Sequence, residues 1–325
     1  MGRWLPHLIG LFTPIVTILG VLAGGWWMGA TILLALGIYP VLDLLSGESS
    51  DTNPLEEAKA FDVILHLHGL LVPIVIGIFL YTVYFDYSEF IWLGAISVGL
   101  SSGASGIITA HELGHRKPKS PSWWLSQIDL LCVLYLHFTV EHNHTHHKHW
   151  ARPRDPTSSP WGRNVYFHFL RTIPLQLKGS YSARPKNFRN SIITETILVI
   201  VLLLISPIVL GLFLLQALVA VFLLEFVNYL QHYGIVRGED ERANASHAWE
   251  SRNRWSRWTL LELPLHPSHH LRSSTPYQKL SVYDDSPQLP NGYYVMFWTA
   301  LIPPLFHYRM KKSYTAFQSK EKQEI

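Results

Sequence analysis

Histidine is the residue whose number and spacing most clearly indicate chemistry in this sequence. The chain has 18 histidines, and nine of them fall in four short stretches at spacings that suit metal binding. Imidazoles four residues apart on a helix leave from one face, so such a pair can share an ion. A structural zinc takes about four ligands, and nine imidazoles therefore favour two metal ions. The nine predicted ligands are His111, His115, His142, His146, His147, His232, His266, His269 and His270.

The second and fourth stretches each combine a helical pair with one further histidine. His142 and His146 repeat the four-residue spacing, which predicts a shared helix face. The adjacent His147 is then about a third of a turn away. In the last stretch His266 and His269 are three residues apart, and His270 follows directly.

Long apolar runs are the elements that must position these histidines. Of the 325 residues, 48% are apolar and only 15% are charged, whereas about 25% are charged in soluble domains. A helix needs about 20 residues to cross a bilayer core, and six runs qualify once Pro207 and Gly211 divide the longest one. The predicted spans are residues 5–23, 26–45, 63–84, 90–114, 192–210 and 212–232.

The remaining residues are expected to form a single domain with these spans. Residues 115–191 and 233–312 are predicted to build a His-rich cytoplasmic cap, in which 123–140 is one helix that lies at the membrane interface or packs on the bundle. Residues 313–325 form a polar tail that we expect to be loosely ordered. The predicted fold is thus an all-α integral membrane protein with six transmembrane helices and a cap that holds two metals.

The distribution of basic residues predicts the topology. With a cytoplasmic N-terminus, all 26 Lys and Arg residues fall on the inner side: Arg3, Lys59, twelve in 116–189 and twelve from Arg237 onward. This agrees with the positive-inside rule. We therefore expect both termini and all four histidine stretches to be cytoplasmic, in a bacterial inner membrane.

Several other kinds of site are excluded or disfavoured. Cys132 is the only cysteine, so neither a disulfide framework nor a cysteine-ligated iron–sulfur site can form. The net charge of +3 and the absence of a basic, aromatic groove pattern do not suggest nucleic-acid binding. The HExxH sequence at His111–His115 also occurs in zinc proteases, with Glu112 as general base. That alternative stays open but does not use the other seven histidines.

Ligand imidazoles usually donate their second N–H to a carboxylate or a carbonyl group, which fixes the ring tautomer. Five carboxylates lie near the histidine stretches or inside an apolar run and are candidates for this supporting role. They are Glu112, Glu141, Asp155, Glu225 and Glu262.

The order of the motifs resembles a known family. HELGH, EHNxxHH, NYxxHYG and HxxHH occur in this sequence from residue 111 to residue 270. In this order they resemble the membrane-bound alkane 1-monooxygenases (alkane ω-hydroxylases) of the fatty-acid desaturase/hydroxylase superfamily. Further similar segments are Tyr39-Pro40-Val41-Leu42-Asp43 with Asn53-Pro54, Asp155-Pro156, Pro276-Tyr277-Gln278 and 287–293.

The resemblance implies a specific reaction. The nine histidines would hold two non-haem irons, and one atom of O2 would enter a terminal C–H bond of a linear alkane or similar apolar chain. The product would be a primary alcohol, and the substrate would arrive from the membrane lipid. Electrons would come from rubredoxin or ferredoxin through an NAD(P)H-dependent reductase.

Three departures from the family pattern touch the surroundings of the metals. Thr145 replaces a usual Gly, Gln231 replaces a common Glu, and Leu265-His266-Pro267 replaces an Arg-His-Ser type sequence. They keep two related activities open, namely fatty-acyl desaturation and decarboxylation of a fatty acid to a terminal alkene.

Overall fold

The fold is built from helices alone in the part of the chain that the structure describes. The computed structural model describes residues 2–51 and 58–324, with side chains up to residue 320. Within these ranges there are isolated β-bridges but no strand, so the predicted all-α fold is confirmed. Asn53 and Pro54, which belong to one of the motifs above, lie outside the described residues.

Six helices are long and apolar enough to cross a membrane, as predicted. The protein is therefore a multi-pass integral membrane protein. In chain order the spans are α1 (Leu5–Ala23), α2 (Gly25–Leu45), α3 (Ala58–Phe85), α4 (Ile91–Gly114), α5 (Pro185–Ile205) and α6 (Pro207–Gln231).

The break between α5 and α6 lies at Ser206 and not near Gly211, which is inside α6. Ser206 is extended, with φ −168° and ψ 133°, because the ring of Pro207 disfavours helical backbone in the preceding residue. The Ser206 hydroxyl then accepts a hydrogen bond from the Ile208 N–H at 3.2 Å and caps α6. The other end of α5 also differs from the prediction, because the helix begins at Pro185 and not at residue 192.

The part of the chain outside the six spans, which we call the cap, differs from the prediction in two places. The segment 123–140 is two helices and not one, because a turn with Leu134 at φ 52° interrupts it. The segment expected to be a loose tail continues a helix to Glu324. The cap helices are Pro121–Leu131, Phe138–Glu141, His147–His149, Val165–Ala183, Arg254–Thr259, His266–Leu271, Tyr293–Ala300 and Pro303–Glu324.

Three helical segments are widened into π turns, at Leu33–Ile38 in α2, at Ser102–Ile107 in α4 and at His142–His146 in the cap. A π turn adds one residue to a helical turn and changes which side chains share a face. All three lie at the functional site described below.

Buried charges tie the cap to the spans. The Asp43 carboxylate near the end of α2 accepts a hydrogen bond from the Ser256 hydroxyl at 2.8 Å. The buried Glu262 carboxylate accepts from Arg257 Nε at 2.5 Å and pairs with His7 Nε2 at 3.0 Å. Burial alone would raise the pKa of Glu262, but His7 and Arg257 lower it to about 2. These contacts fix the segment that precedes the last three histidines.

The spans α4 and α6 pack closely because α4 carries glycine at the contact. A Cβ atom at Gly99 would lie 2.6 Å from the backbone oxygen of Gln216 and 2.6 Å from Val219 Cβ. Small residues at such positions let helix backbones approach within a membrane.

We therefore expect Gly99→Ala to destabilise the protein by about 1–3 kcal/mol, since the added methyl group forces α4 and α6 apart. The thermal unfolding midpoint in detergent, followed by intrinsic fluorescence, measures the change. Gly77→Ala in α3 is the matched control, because a Cβ there meets no atom within 4 Å. Equal midpoints for the two variants would contradict this account of the packing.

Candidate metal centre

Four chain segments deliver the nine predicted ligands to one region. His111 lies in the last turn of α4, and His115 is the residue that caps this helix. His232 caps the C-terminal end of α6. The segment from His142 to His147 comes from the cap, as does the short helix His266–Leu271.

The nine side chains form two groups, within each of which one candidate ligand atom per residue lies within 4.8 Å of the others. The five-histidine group is His111, His115, His142, His147 and His269. The four-histidine group is His146, His232, His266 and His270. Every histidine predicted from the sequence is in one of the two groups. Six of the nine are buried, and His111, His115 and His147 are partly buried.

The π turn decides how the second stretch is divided between the groups. The His147 N–H bonds to the His142 carbonyl oxygen five residues back, so these two side chains share a face. Their Nε2 atoms are 2.9 Å apart. His146, which an ordinary helix would place beside His142, belongs instead to the four-histidine group.

The histidines of the last stretch are also divided between the two groups, although His266 and His269 are three residues apart on one helix. His266 and His270 belong to the four-histidine group, with ring centroids 4.3 Å apart. His269 points to the other group, where its Nε2 atom is 2.8 Å from that of His111 and 3.1 Å from that of His147. The helix His266–Leu271 therefore supplies both groups.

The spacing of the ring nitrogens fits metal ligation. Nε2 atoms in contact are 2.8 to 3.1 Å apart in both groups. Two nitrogens bound at right angles to one ion at about 2.1 Å would be roughly 3.0 Å apart. The donor set is nitrogen only, which suits zinc, copper, iron and nickel.

Burial favours the neutral form that metal ligands must have, as several of these imidazoles show. It lowers the pKa of His115 to about 4 and that of His232 to about 3, with a smaller contribution from neighbouring histidines in each case. The pKa values of His142, His147 and His269 are also well below the usual value, first because of burial and then because of the other rings.

Asp155 is the one predicted carboxylate that bonds to a candidate ligand in the described structure. Its Oδ1 atom is 3.1 Å from His146 Nδ1, which leaves Nε2 of that ring directed at its group. The Thr157 hydroxyl lies 2.8 Å from the same Nδ1 and donates to Asp155 Oδ2 at 2.9 Å. Burial alone would raise the pKa of Asp155, but His146, His232 and a hydrogen bond from the Ser158 hydroxyl lower it to about 2.

The other four carboxylates have different surroundings. Glu112 accepts from the Tyr277 N–H at 3.2 Å, and Glu262 belongs to the buried network described above. Glu225 accepts hydrogen bonds from Tyr135, Gln176 and Asn228. Glu141 is buried, and neither of its oxygens has a hydrogen-bond partner among the described residues.

Two aromatic contacts to the candidate ligands were not predicted. Phe138 stacks on His142 at 4.9 Å, and Trp150 stacks on His270 at 4.5 Å. The only signal for either residue in the sequence is weak, namely its position a few residues before or after the second histidine stretch.

An apolar cavity opens directly on both groups. His111 and His142 of the five-histidine group and His266 of the four-histidine group are among its lining residues. The π turns of α2 and α4 form parts of its wall, and Gln231 and Tyr293 are among its few polar residues. The arrangement can hold metal ions at the end of an apolar space shielded from water.

Comparison with known proteins agrees with this arrangement. The fatty acid desaturase family matches residues 88–300, which include all nine histidines. The chain is 34% identical to alkane 1-monooxygenase 1 of Pseudomonas aeruginosa, over 92% of this chain and 86% of that protein.

The chain belongs to the alkane 1-monooxygenase family. Alkane 1-monooxygenase 1 of Alcanivorax borkumensis is 30% identical over 93% of this chain and 82% of its own length. The hydroxylase component of the xylene/toluene monooxygenase of Pseudomonas putida is 26% identical over 90% of this chain and 85% of its own. As a member of this family the chain is an oxidoreductase of the monooxygenase type, and the zinc-protease alternative has no support.

As a test of the candidate ligands in this monooxygenase, we expect His147→Ala to lower the content of bound transition metal by up to one ion per chain. The reason is that the substitution removes one of the five nitrogens of its group. Metal analysis of the purified protein by mass spectrometry measures the change.

His144→Ala is the matched control, because His144 lies in the same helical segment but is exposed and belongs to neither group. An unchanged metal content in His147→Ala would show that this side chain is not a ligand.

Proposed function

We propose that this chain hydroxylates the terminal carbon of linear alkanes or similar apolar chains to primary alcohols. The observation that carries the proposal is that histidines of both groups line one apolar cavity. The names of its relatives, which include several alkane 1-monooxygenases, support the same substrate class. The overall reaction is R–CH3 + O2 + 2 electrons + 2 H⁺ giving R–CH2OH + H2O.

We propose further that the nine histidines hold two non-haem iron ions, one in each group. Imidazole is a good ligand for iron, and both groups would offer such an ion nitrogen donors only. When bound, the irons supply the reductive activation of O2. The protein's own part is to keep the rings neutral, to fix their orientation through contacts such as Asp155 with His146, and to exclude water.

The cavity wall is suited to an apolar chain that arrives from membrane lipid. Leu100, Ile107, Leu224, Phe226 and Phe297 are among its apolar residues. These five side chains offer no hydrogen bonds, so their part of the wall favours a hydrocarbon over a polar molecule through the area removed from water.

The electrons must come from another protein, because the nine histidines provide no store of reducing equivalents. We propose rubredoxin or ferredoxin with an NAD(P)H-dependent reductase as the donor system. We further propose that the chain is a single domain whose termini and histidines face the cytoplasm, in the inner membrane of a bacterium. The support is the positive-inside distribution of Lys and Arg.

A second candidate function is desaturation or decarboxylation of a fatty acyl chain. It is favoured by one observation, which is that the cavity includes polar groups close to the histidines. The Gln231 amide donates to the Tyr293 hydroxyl at 2.9 Å, and both residues line the cavity together with Asn228. These groups can bond to the carboxyl end of a fatty acid, which an alkane lacks.

Product analysis separates the two functions. Purified protein with iron, NAD(P)H, reductase and rubredoxin is given C8 to C16 alkanes and, separately, fatty acids of the same lengths, under ¹⁸O2. The proposal expects primary alcohols that carry one ¹⁸O atom, seen by gas chromatography with mass spectrometry. Membranes containing His147→Ala are the control and should give no product. An alkene from the fatty acids, with no alcohol from any alkane, would favour the second function and overturn the first.

A further inference from the structure

Four exposed basic side chains lie where the cap meets α5. Lys178 is near the end of the cap helix Val165–Ala183, Arg184 joins this helix to α5, and Lys186 and Arg189 are at the start of α5. We call these four residues the basic corner. None of them is in an ion pair with a carboxylate in the parts of the chain that the structure describes. Their charges are therefore available to a partner outside the chain.

No exposed carboxylate on the neighbouring elements offsets this charge. Residues 156–194 contain six Lys or Arg residues and no Asp or Glu. The cap helix packs against residues 138–146, α5 and α6, and the carboxylates on all these elements are buried, namely Glu141, Glu195 and Glu225. By contrast, Arg116 at the cap-side end of α4 pairs with Asp62 at 3.0 Å. The basic corner therefore presents a net positive charge at the surface.

Two residues of the basic corner line a groove that also has apolar walls. Lys186 and Arg189 are three residues apart on α5, so both side chains leave the helix on one side. They line the groove together with Tyr181, Pro185, Phe188, Ile192 and Ile193. The rings of Tyr181 and Phe188 are in contact, with centroids 5.7 Å apart, and join the cap helix to α5. The groove measures about 540 Å³, within the range of roughly 300–1,000 Å³ that is typical of small-molecule sites.

The same face of α5 continues as a track of exposed apolar side chains. Its members follow Arg189 at spacings of three or four residues and are 49% to 80% exposed, namely Ile193, Ile197, Ile200 and Leu204. From Arg189 to Ile200 the helix rises about 16 Å, which is about half of the roughly 30 Å core of a bilayer. One face of α5 thus combines positive charge at the depth of the lipid headgroups with apolar surface along one leaflet.

We propose that the basic corner binds an anionic phospholipid of the leaflet next to the cap, with the phosphate at Lys186 and Arg189 and an acyl chain along the apolar track. Clusters of Lys and Arg beside a membrane-spanning helix attract anionic headgroups. An acidic soluble protein would match the charge of the groove but not its apolar residues Ile192 and Ile193, whereas a phospholipid matches both. Such a site anchors the cap to the membrane and is independent of the reaction at the metal centre.

Lipid binding to the full-length protein in detergent tests the site. Native mass spectrometry measures the affinity for the first added molecule of phosphatidylglycerol and, separately, of phosphatidylcholine with the same acyl chains. Phosphatidylglycerol should bind about tenfold more tightly, because only its headgroup has a net negative charge for the two basic side chains. This comparison needs no variant, and equal affinities for the two lipids would overturn the proposal.

The double variant Lys186→Gln/Arg189→Gln locates the site. Its affinity for phosphatidylglycerol should fall about tenfold, while its affinity for phosphatidylcholine changes less than twofold. Arg242→Gln/Lys312→Gln is the matched control, because it removes the same charge from two exposed residues outside the six spans. All these residues are exposed, so both variants should keep the thermal unfolding midpoint of the unmodified protein in detergent without added lipid. An equal loss of phosphatidylglycerol binding in the two variants would mean attraction to net charge only and would overturn the proposal.

Two further probes separate a phospholipid from other anionic partners. Inorganic phosphate at the concentration of the lipid should not displace phosphatidylglycerol, because it lacks the acyl chains that contact the apolar track. Displacement would assign the groove to a soluble anion and contradict the proposal. A raised KM for rubredoxin in Lys186→Gln/Arg189→Gln, with phosphatidylglycerol binding unchanged, would assign the basic corner to an acidic protein and would also contradict it.

Discussion

The structure depends on the convergence of nine imidazoles on two points. Ring nitrogens that approach within 2.8 to 3.1 Å of each other can present lone pairs to a common centre, an arrangement that suits a cation in each group. Burial lowers the pKa of imidazoles such as His142 and His269 and so favours the neutral form that a metal requires. The ends of α4 and α6 and two cap segments must therefore meet with little freedom, and the remaining architecture serves this requirement.

The fixed contacts around the site show how the requirement is met. Asp43 and Glu262 hold the cap segment that leads to the last histidines against α1 and α2. Asp155 and Thr157 fix the ring of His146 from behind. The π turns change the direction of side chains that an ordinary helix would place elsewhere. Those of α2 and α4 lie in the cavity wall, and the one at His142–His146 divides its histidines between the two histidine groups.

Sequence reasoning predicted the features that depend on composition and spacing. Long apolar runs are sufficient to find six spans, and clustered histidines are sufficient to find all nine members of the two groups. It did not predict how the histidines divide, because the π turn at His142–His146 replaces the four-residue period on which the pattern was read. Pro207 and Gly211 both indicated a break, but the predicted spans placed it at Gly211, whereas it lies at Ser206, the residue before proline. The sequence did not show that Asp155 bonds to a candidate ligand whereas Glu225 does not, because this difference depends on contacts in the folded chain. The stacking of Trp150 on His270 was also missed, because Trp150 belongs to no motif.

X-ray absorption spectroscopy at the iron edge, combined with metal counting, tests the central claim most directly on the purified full-length protein. The account predicts two iron atoms per chain, each surrounded by nitrogen ligands at imidazole distances and by no sulfur. A single metal ion per chain, or zinc as the only metal retained, would contradict it.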